Sequence, residues 1–366
     1  MKSYITAYDS YSCAGDTTAL MEAIYNKQSG ITTDTTYMPS TPVALGKMEN
    51  VEFFTKLKEV VNNVLHVSNL ENFNTTLLIV GSSVGGMAIS EEHYFRDGHY
   101  QNIDPKQHPI AVIEEFLDKE FDFGASRSIS TACTSSANAM LLAKRLIALE
   151  AYDNILIVGA DALCYTTVCG FYALSVLSQK PCTPFQNQRE GMNVSEGIAA
   201  LLVQNKPTKG AVELCGVGGS SDAYHMTNPD PEAKGAMTAM QNALQDGGIQ
   251  PEMVDYINAH GTGTQANDTV EAFAIEQLFG SNSYVSSTKA ITGHTLGAAG
   301  ALEAIISCEV LKRGLIPPQA NSSEDIENKT LNIAFEPLQK ELNYVLSNSF
   351  AFGGNNASVL FKRIEL

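Results

Sequence analysis

Apolar positions fall along this chain in two alternating rhythms, short runs with the length of strands and longer stripes with the spacing of helices. Tyr4 to Tyr8 alternates with period two and predicts a strand, after which Asp16 is placed to cap a helix carrying Leu20, Met21 and Ile24 on one side. A second helical stripe runs from Val51 to Leu65. Thr76-Leu77-Leu78-Ile79-Val80 is nearly all apolar, the pattern of a strand buried on both faces, and it ends at the turn-forming Gly81 and Gly85-Gly86. Arg127 to Thr131 predicts a short extended run. Ala137, Met140, Leu141 and Leu142 then begin a helical stripe that continues through Leu146 to Leu149. Asn154 to Gly159 and Gly197 to Val203 complete the first series as buried strands.

Asn205-Lys206-Pro207-Thr208-Lys209-Gly210 is a polar break, and it divides the chain into residues 1–205 and 206–366. The pattern then restarts. Ala211 to Val217 predicts a strand, Glu232 to Leu244 a helix ending at Gly247-Gly248, and Val254 to Asn258 a strand running into His260. A helix over Asp268 to Leu278, a strand at Tyr284 to Ser287 and a long helix over Leu296 to Lys312 follow. Strands at Asn343 to Ser347 and Ala357 to Lys362 bracket a Gly-rich turn. Alternation of this kind in both halves predicts α/β architecture with mostly parallel sheets and a closing hairpin, the second half weakly re-using the plan of the first.

Composition narrows the function classes. A net charge of −17, from 23 basic and 40 acidic residues, argues against a nucleic-acid or anionic-membrane partner, which calls for a basic stripe. An acidic carrier protein would need a local basic patch, for which Lys47, Lys56, Lys58, Lys144, Arg145 and Arg189 are the candidates against a default of ordinary solvated charges. Seven cysteines without CxxC spacing form neither a metal-site pattern nor a complete disulfide framework. The short apolar runs and the absence of an apolar segment after Met1-Lys2-Ser3-Tyr4 predict a cytoplasmic location.

Chemistry concentrates at a few loops. Cys133 lies in the small-residue turn Ser130 to Ala137, between a strand and a helix N-terminus whose positive end favours a thiolate nucleophile; a small buried cysteine is the competing reading. His260 and His294 occupy Gly/Thr-rich loops at strand ends, where open α/β sheets place their ligands. The helix after His294 biases its imidazole towards the neutral form, a hydrogen-bond donor to a carbonyl oxygen. Lys289 and Glu303 are spaced to form a buried charge pair. Asn267-Asp268-Thr269-Val270-Glu271 reads as a helix cap with acids at the positive end, a structural feature. The Phe350-Ala351-Phe352-Gly353-Gly354 turn can free backbone N–H groups for an oxyanion hole, or be a tight hairpin alone. Gly293, Gly297 and Gly300 predict close helix packing in a soluble core, because Glu303 and Glu309 interrupt the segment.

Taken together, Thr131-Ala132-Cys133, Asp222-Ala223-Tyr224-His225-Met226-Thr227, Asn258-Ala259-His260-Gly261-Thr262-Gly263-Thr264, Asn267-Asp268, Ser286-Ser287-Thr288-Lys289, Thr292-Gly293-His294 and Asn348 to Gly354 resemble the β-ketoacyl-acyl-carrier-protein synthases of the elongating type, in the thiolase superfamily. The resemblance implies a dimeric thiolase-like fold of two pseudo-repeated halves in five α-β-α-β-α layers. It implies that Cys133 holds an acyl chain taken from a carrier-protein thioester. His260 and His294 would bind the malonyl thioester carbonyl during decarboxylation. Lys289 with Glu303 would support the histidines, with Asp268 in a further supporting place. The N–H groups of Cys133 and Phe352 would form the oxyanion hole, with Phe352 and Gly353 in the gate. No metal or redox cofactor is implied; the phosphopantetheine arm arrives on the acyl carrier protein, for which Lys47 and Arg189 are the docking candidates.

The chain departs from the family pattern at Ser195 and at Ala351, each standing where glycine is usual, and its N-terminal region and the stretch from Glu91 to Phe123 are short. These departures point to a specialised fatty-acid, polyene or polyketide pathway. Alternatives to a decarboxylating synthase are a chain-length partner subunit in a heterodimer, a degradative thiolase or plain acyltransferase, and a cysteine hydrolase. Cys133, His260 and His294 count against the first, and Cys308 inside a helix does not fit a thiolase's second cysteine.

Overall fold

The computed structural model describes residues 1–38, 40–68 and 70–365 of the 366-residue chain. Its first half contributes strands β1 (Tyr4–Ser12), β2 (Thr76–Gly81), β3 (Ala125–Ile129), β4 (Asn154–Asp161) and β5 (Gly197–Gln204). Its second half contributes β6 (Val212–Ser221), β7 (Tyr256–Asn258), β8 (Tyr284–Ser286), β9 (Tyr344–Phe350) and β10 (Asn355–Arg363). Spatial order is β1-β5-β4-β2-β3 in one half and β6-β10-β9-β7-β8 in the other. Each strand therefore corresponds to the one five places on, and each half has two antiparallel pairs followed by two parallel pairs. The expectation of mostly parallel sheets is corrected by β5 and β10, which each enter antiparallel to both neighbours. Pairing of Tyr4 and Ile5 with Glu213 and Val212 joins the halves, so among the described residues they form one 12-stranded sheet.

Helices α1 (Phe53–Val67), α2 (Ala111–Phe121), α3 (Ser135–Ala148), α4 (Tyr165–Ala173), α5 (Lys234–Gly247), α6 (Gln265–Phe279) and α7 (Ala299–Arg313) complete the frame used below. α3 and α7 pack against strands of both halves, α1 and α2 cover the outer face of the first, and α5 with α6 covers the second. Five layers, α-β-α-β-α, result. The side-chain period of a strand explains the continuous apolar runs. In β2, Leu77 and Ile79 enter the central core with α3 and α7, while Leu78 and Val80 enter the outer core with α1 and α2. β4 divides the same way, Ile155 and Ile157 facing inward and Leu156 and Val158 outward.

Small residues let the central layer close. A Cβ added at Gly300 would lie 2.7 Å from the Ala137 backbone N, and one at Gly81 would lie 2.5 Å from the Ser136 N. The packing expected of Gly300 is thus contact between α7 and α3, the helix that begins just after Cys133. Several expected boundaries shift by a few residues. The long helix opens with a 3-10 turn at Leu296–Ala298 before α7, and α6 starts at Gln265 rather than Asp268. Asp16 caps the Thr17–Tyr25 helix as expected, accepting a hydrogen bond from the Ala19 N–H at 2.9 Å.

Candidate active site

The tight turn after β3 lifts Cys133 out of the sheet through Ala132, whose φ of +53 is left-handed and uncommon for a residue with a Cβ. Two side chains hold that turn: Ser135 Oγ donates to the Ala132 carbonyl at 2.6 Å, and Ser83 Oγ donates to the same oxygen at 2.9 Å. Cys133 is buried, and the backbone N–H groups of Cys133 and Phe352 lie near enough to its sulfur to favour the thiolate slightly. Burial pushes the thiol up to about 12, with the Lys289 charge and the two N–H donors pulling down and the Asp161 carboxylate pushing up. This desolvation works against the thiolate expected from the helix N-terminus.

His260 follows β7 and His294 follows the short helix Lys289–Thr292, and their rings meet edge to face with centroids 5.1 Å apart. Both are buried, and both are held well below the ordinary histidine value by burial first and then by the positive charge of Lys289. They are neutral, as the sequence predicts for His294. The Leu296 N–H donates to His294 Nδ1 at 3.3 Å, which places the imidazole proton on Nε2. The His294 backbone is clamped on both sides, its N–H donating to the Asn193 carbonyl at 2.7 Å and its carbonyl accepting from the Ser195 N–H at 3.0 Å. Lys289 Nζ and Glu303 Oε1 form a buried ion pair.

Three other buried carboxylates hold the loops. Glu271 accepts the N–H groups of His260 at 2.8 Å and Gly261 at 2.7 Å, and burial raises it to about 7. Asp268 accepts from the Phe185 and Gly263 N–H groups, so it and Glu271 are interior acceptors rather than acids on an exposed helix end. Asp161, at the end of β4, accepts from Ser82 Oγ and from the N–H groups of Ser83, Val84 and Gly297, and burial raises it to about 6. Sequence reasoning missed Asp161 as a site residue and assigned Glu271 to a cap. The available signal was an acid closing an otherwise apolar strand, and a pair of acids three apart on one helix face.

Phe352 stacks obliquely on Phe171 of α4, centroids 5.9 Å apart, in a loop fastened by Gly353 N–H to the Met226 carbonyl and by Asp222 N–H to the Gly354 carbonyl, both 2.9 Å. Gly354 has φ +77, and a Cβ there would lie 1.8 Å from the Asp222 carbonyl oxygen. Gly354→Ala is therefore expected to displace the Phe352 N–H and lower turnover about 10- to 100-fold, read as kcat in steady-state assays. Gly353→Ala, whose Cβ meets nothing within 4 Å, should lose less. Cys133, His260, His294, Phe171, Phe352, Thr262, Thr264 and Asn267 all line one cavity of about 290 Å³.

Comparison with known proteins identifies this arrangement. The Beta-ketoacyl synthase N-terminal domain matches residues 65–209, and the Beta-ketoacyl synthase C-terminal domain matches residues 211–323. The chain is 39% identical over 308 residues to a protein of Coxiella burnetii named 3-oxoacyl-[acyl-carrier-protein] synthase 2, covering 78% of this chain and 74% of that one. This chain belongs to the β-ketoacyl synthase family. It has the thiolase-like fold and is an acyltransferase-class enzyme. Its structure superposes on that of a ketosynthase, ApeO, in complex with its chain length factor, ApeC, from Xenorhabdus doucetiae, with a TM-score of 0.90 and 31% identity over 99% of this chain and 98% of that one. A beta-ketoacyl synthase from Burkholderia phymatum gives a TM-score of 0.89 at 25% identity over the full length of both chains.

Of the two carrier-docking residues expected of this synthase, Arg189 is corrected by the structure. The Arg189 side chain is buried, donating to the carbonyls of Thr264 and Gln265 and pairing with Asp268 and Glu327, so it braces the His260 loop and presents no charge to a partner. Lys47 is paired with Asp34 and lies over the Tyr37 ring. Lys56, Lys58 and Lys144 are likewise within ion-pair distance of Glu59, Glu120 and Asp246. Ser195 uses its hydroxyl to donate to the Gly46 carbonyl at 3.1 Å, and its Cβ packs against Gly293 beside His294.

Proposed function

We propose that this synthase catalyses decarboxylative condensation of malonyl-acyl carrier protein with an acyl chain held on Cys133, giving a 3-oxoacyl carrier protein. The observation that carries this reading is a thiol and two neutral imidazoles lining one cavity together with Phe352. In acyl transfer the Cys133 S–H bond breaks, sulfur bonds to the acyl carbon and the carrier thiol leaves with the proton; a neutral imidazole can relay it. In condensation the malonyl C–C bond breaks and carbon dioxide leaves. His294 Nε2–H and His260 stabilise the enolate oxygen. The enolate carbon then attacks the acyl carbonyl, whose oxyanion is met by the N–H groups of Cys133 and Phe352, and the expelled Cys133 thiolate regains a proton.

No metal or redox cofactor enters this route; the phosphopantetheine arm comes with the substrate, and Thr262, Thr264 and Asn267 offer its amides hydrogen-bonding groups. Among the described residues no helix is long and apolar enough to cross a membrane, and we place the reaction in the cytoplasm. The pathway we favour is a specialised polyene or polyketide one, because the solved relative at 31% identity is a ketosynthase in complex with its chain length factor. A second ketosynthase-like subunit, identical or related, suits two features: β3 pairs on one side alone among the described residues, and Phe95, Tyr100 and Tyr165 are exposed large aromatic side chains. Incubation with acyl carrier proteins of varied chain length plus malonyl carrier protein tests the proposal, with acyl-Cys133 followed by intact mass and the 3-oxo product by chromatography. Absence of both would refute it; condensation that requires an added second subunit would assign this chain to a heterodimer.

A further inference from the structure

Asp161 is fully buried and, among the described residues, has no cation paired with it. An isolated buried carboxylate costs stability, and a neutral amide could serve a simple crosslink. Only a carboxylate, however, offers two acceptor-only oxygens, and here donors arrive at both from two remote segments. Oδ1 accepts from Ser82 Oγ at 2.6 Å, the Ser83 N–H at 3.0 Å and the Val84 N–H at 2.9 Å. Oδ2 accepts from the Ser83 N–H at 3.0 Å and the Gly297 N–H at 2.7 Å.

Each segment leads to one half of the reaction. Ser83, held by its N–H, passes its hydroxyl to the Ala132 carbonyl and so braces the left-handed residue that immediately precedes Cys133. Gly297, held by its N–H, fixes Leu296, which is also left-handed at φ +53 and whose N–H sets the tautomer of His294. Two sparsely populated backbone conformations, one beside Cys133 and one beside His294, are thus braced through one side chain. We infer that Asp161 is a positioning residue that locks the Cys133 turn and the His294 imidazole into a common register through Ala132 and Leu296. The inference rests on the decarboxylative reading for its kinetic consequences, and on geometry alone for its effect on the imidazole.

Asp161→Asn separates the two arms. Its amide oxygen takes the side with three donors, which leaves its NH₂ facing the Gly297 N–H. Acylation of Cys133, read by intact mass, should stay within about threefold, while release of carbon dioxide from malonyl carrier protein falls about 100-fold, the scale for losing one aligned donor. Nitrogen-15 spectra of the histidines should show His294 as the Nε2–H tautomer in the wild type and as a mixture in the variant. Ser83→Ala is the reciprocal change: acylation should fall up to about tenfold, Ser135 Oγ still holding Ala132, and decarboxylation should stay within about twofold. An unaltered His294 tautomer in Asp161→Asn, or equal losses in both half-reactions for both variants, overturns the positioning role. If Asp161→Asn does not fold, the reciprocal split in Ser83→Ala decides: acylation lowered with decarboxylation kept supports the positioning role, and equal losses in both half-reactions overturn it. A tautomer shift in Asp161→Asn, with a wild type that carries out neither half-reaction, refutes the decarboxylative reading and leaves the positioning role standing.

Discussion

Replacing Cys133 with alanine is expected to abolish 3-oxo product formation, by on the order of 10⁴-fold or more, while malonyl carrier protein is still decarboxylated. Sulfur is the only atom that forms a bond to the acyl chain, so its loss removes that covalent intermediate outright. Decarboxylation needs instead a donor at the developing enolate oxygen, and His294 Nε2–H owes its orientation to Leu296 and Asn193, not to the thiol. The Ala132 turn is held by Ser83 and Ser135 and should survive the change. Carbon dioxide release without a condensed product, measured side by side, is the signature. Undiminished condensation by Cys133→Ala would remove the nucleophile assignment altogether.

The second large effect concerns stability. Lys289→Met leaves the Glu303 carboxylate buried without its cation, and Oε2 of that group already has no hydrogen-bond partner. Breaking a buried pair from one side costs about 3–5 kcal/mol. Burial raises Glu303, and Lys289 pulls it back, so removing the lysine raises it further. A carboxyl raised in the folded state binds more protons there than in the unfolded chain. The added destabilisation is therefore small below the unfolded value and grows as pH rises through the folded one. Urea unfolding from pH 5 to 8 should show Lys289→Met losing most at the alkaline end, with Glu303→Gln added to it recovering the greater part. The histidines move the opposite way in function. The Lys289 charge lowers both, so without it they take up protons at higher pH, and the acid limb of decarboxylation shifts towards neutrality. A flat difference in stability across that range would show that Glu303 is not charged beside Lys289.

Much of the frame was legible in residue order because it depends on neighbours in sequence. A strand buried on both faces must be apolar at consecutive positions, as Leu77 to Val80 are, and a helix that begins at Thr17 needs an acceptor such as Asp16. The small residues around Cys133 and the glycines flanking both histidines likewise announce a tight turn and close approach before any contact is known. Their combination carried the resemblance that the comparisons then established.

What residue order could not supply is where distant groups converge. Arg189 reads as a surface cation until the fold buries it against Asp268 and Glu327, and Asp161 reads as a strand end until Gly297, 136 positions away, donates to it. The environment of the Cys133 thiol was hidden for the same reason. A helix N-terminus is local and visible, whereas desolvation is the sum of everything packed around the sulfur, and here it pushes the thiol up. Sequence alone determined which residues are chemically able to act, since side-chain type and backbone freedom are properties of each position. Tertiary structure decided their protonation, tautomer and register, because those depend on burial and on N–H groups brought together from segments the chain keeps far apart.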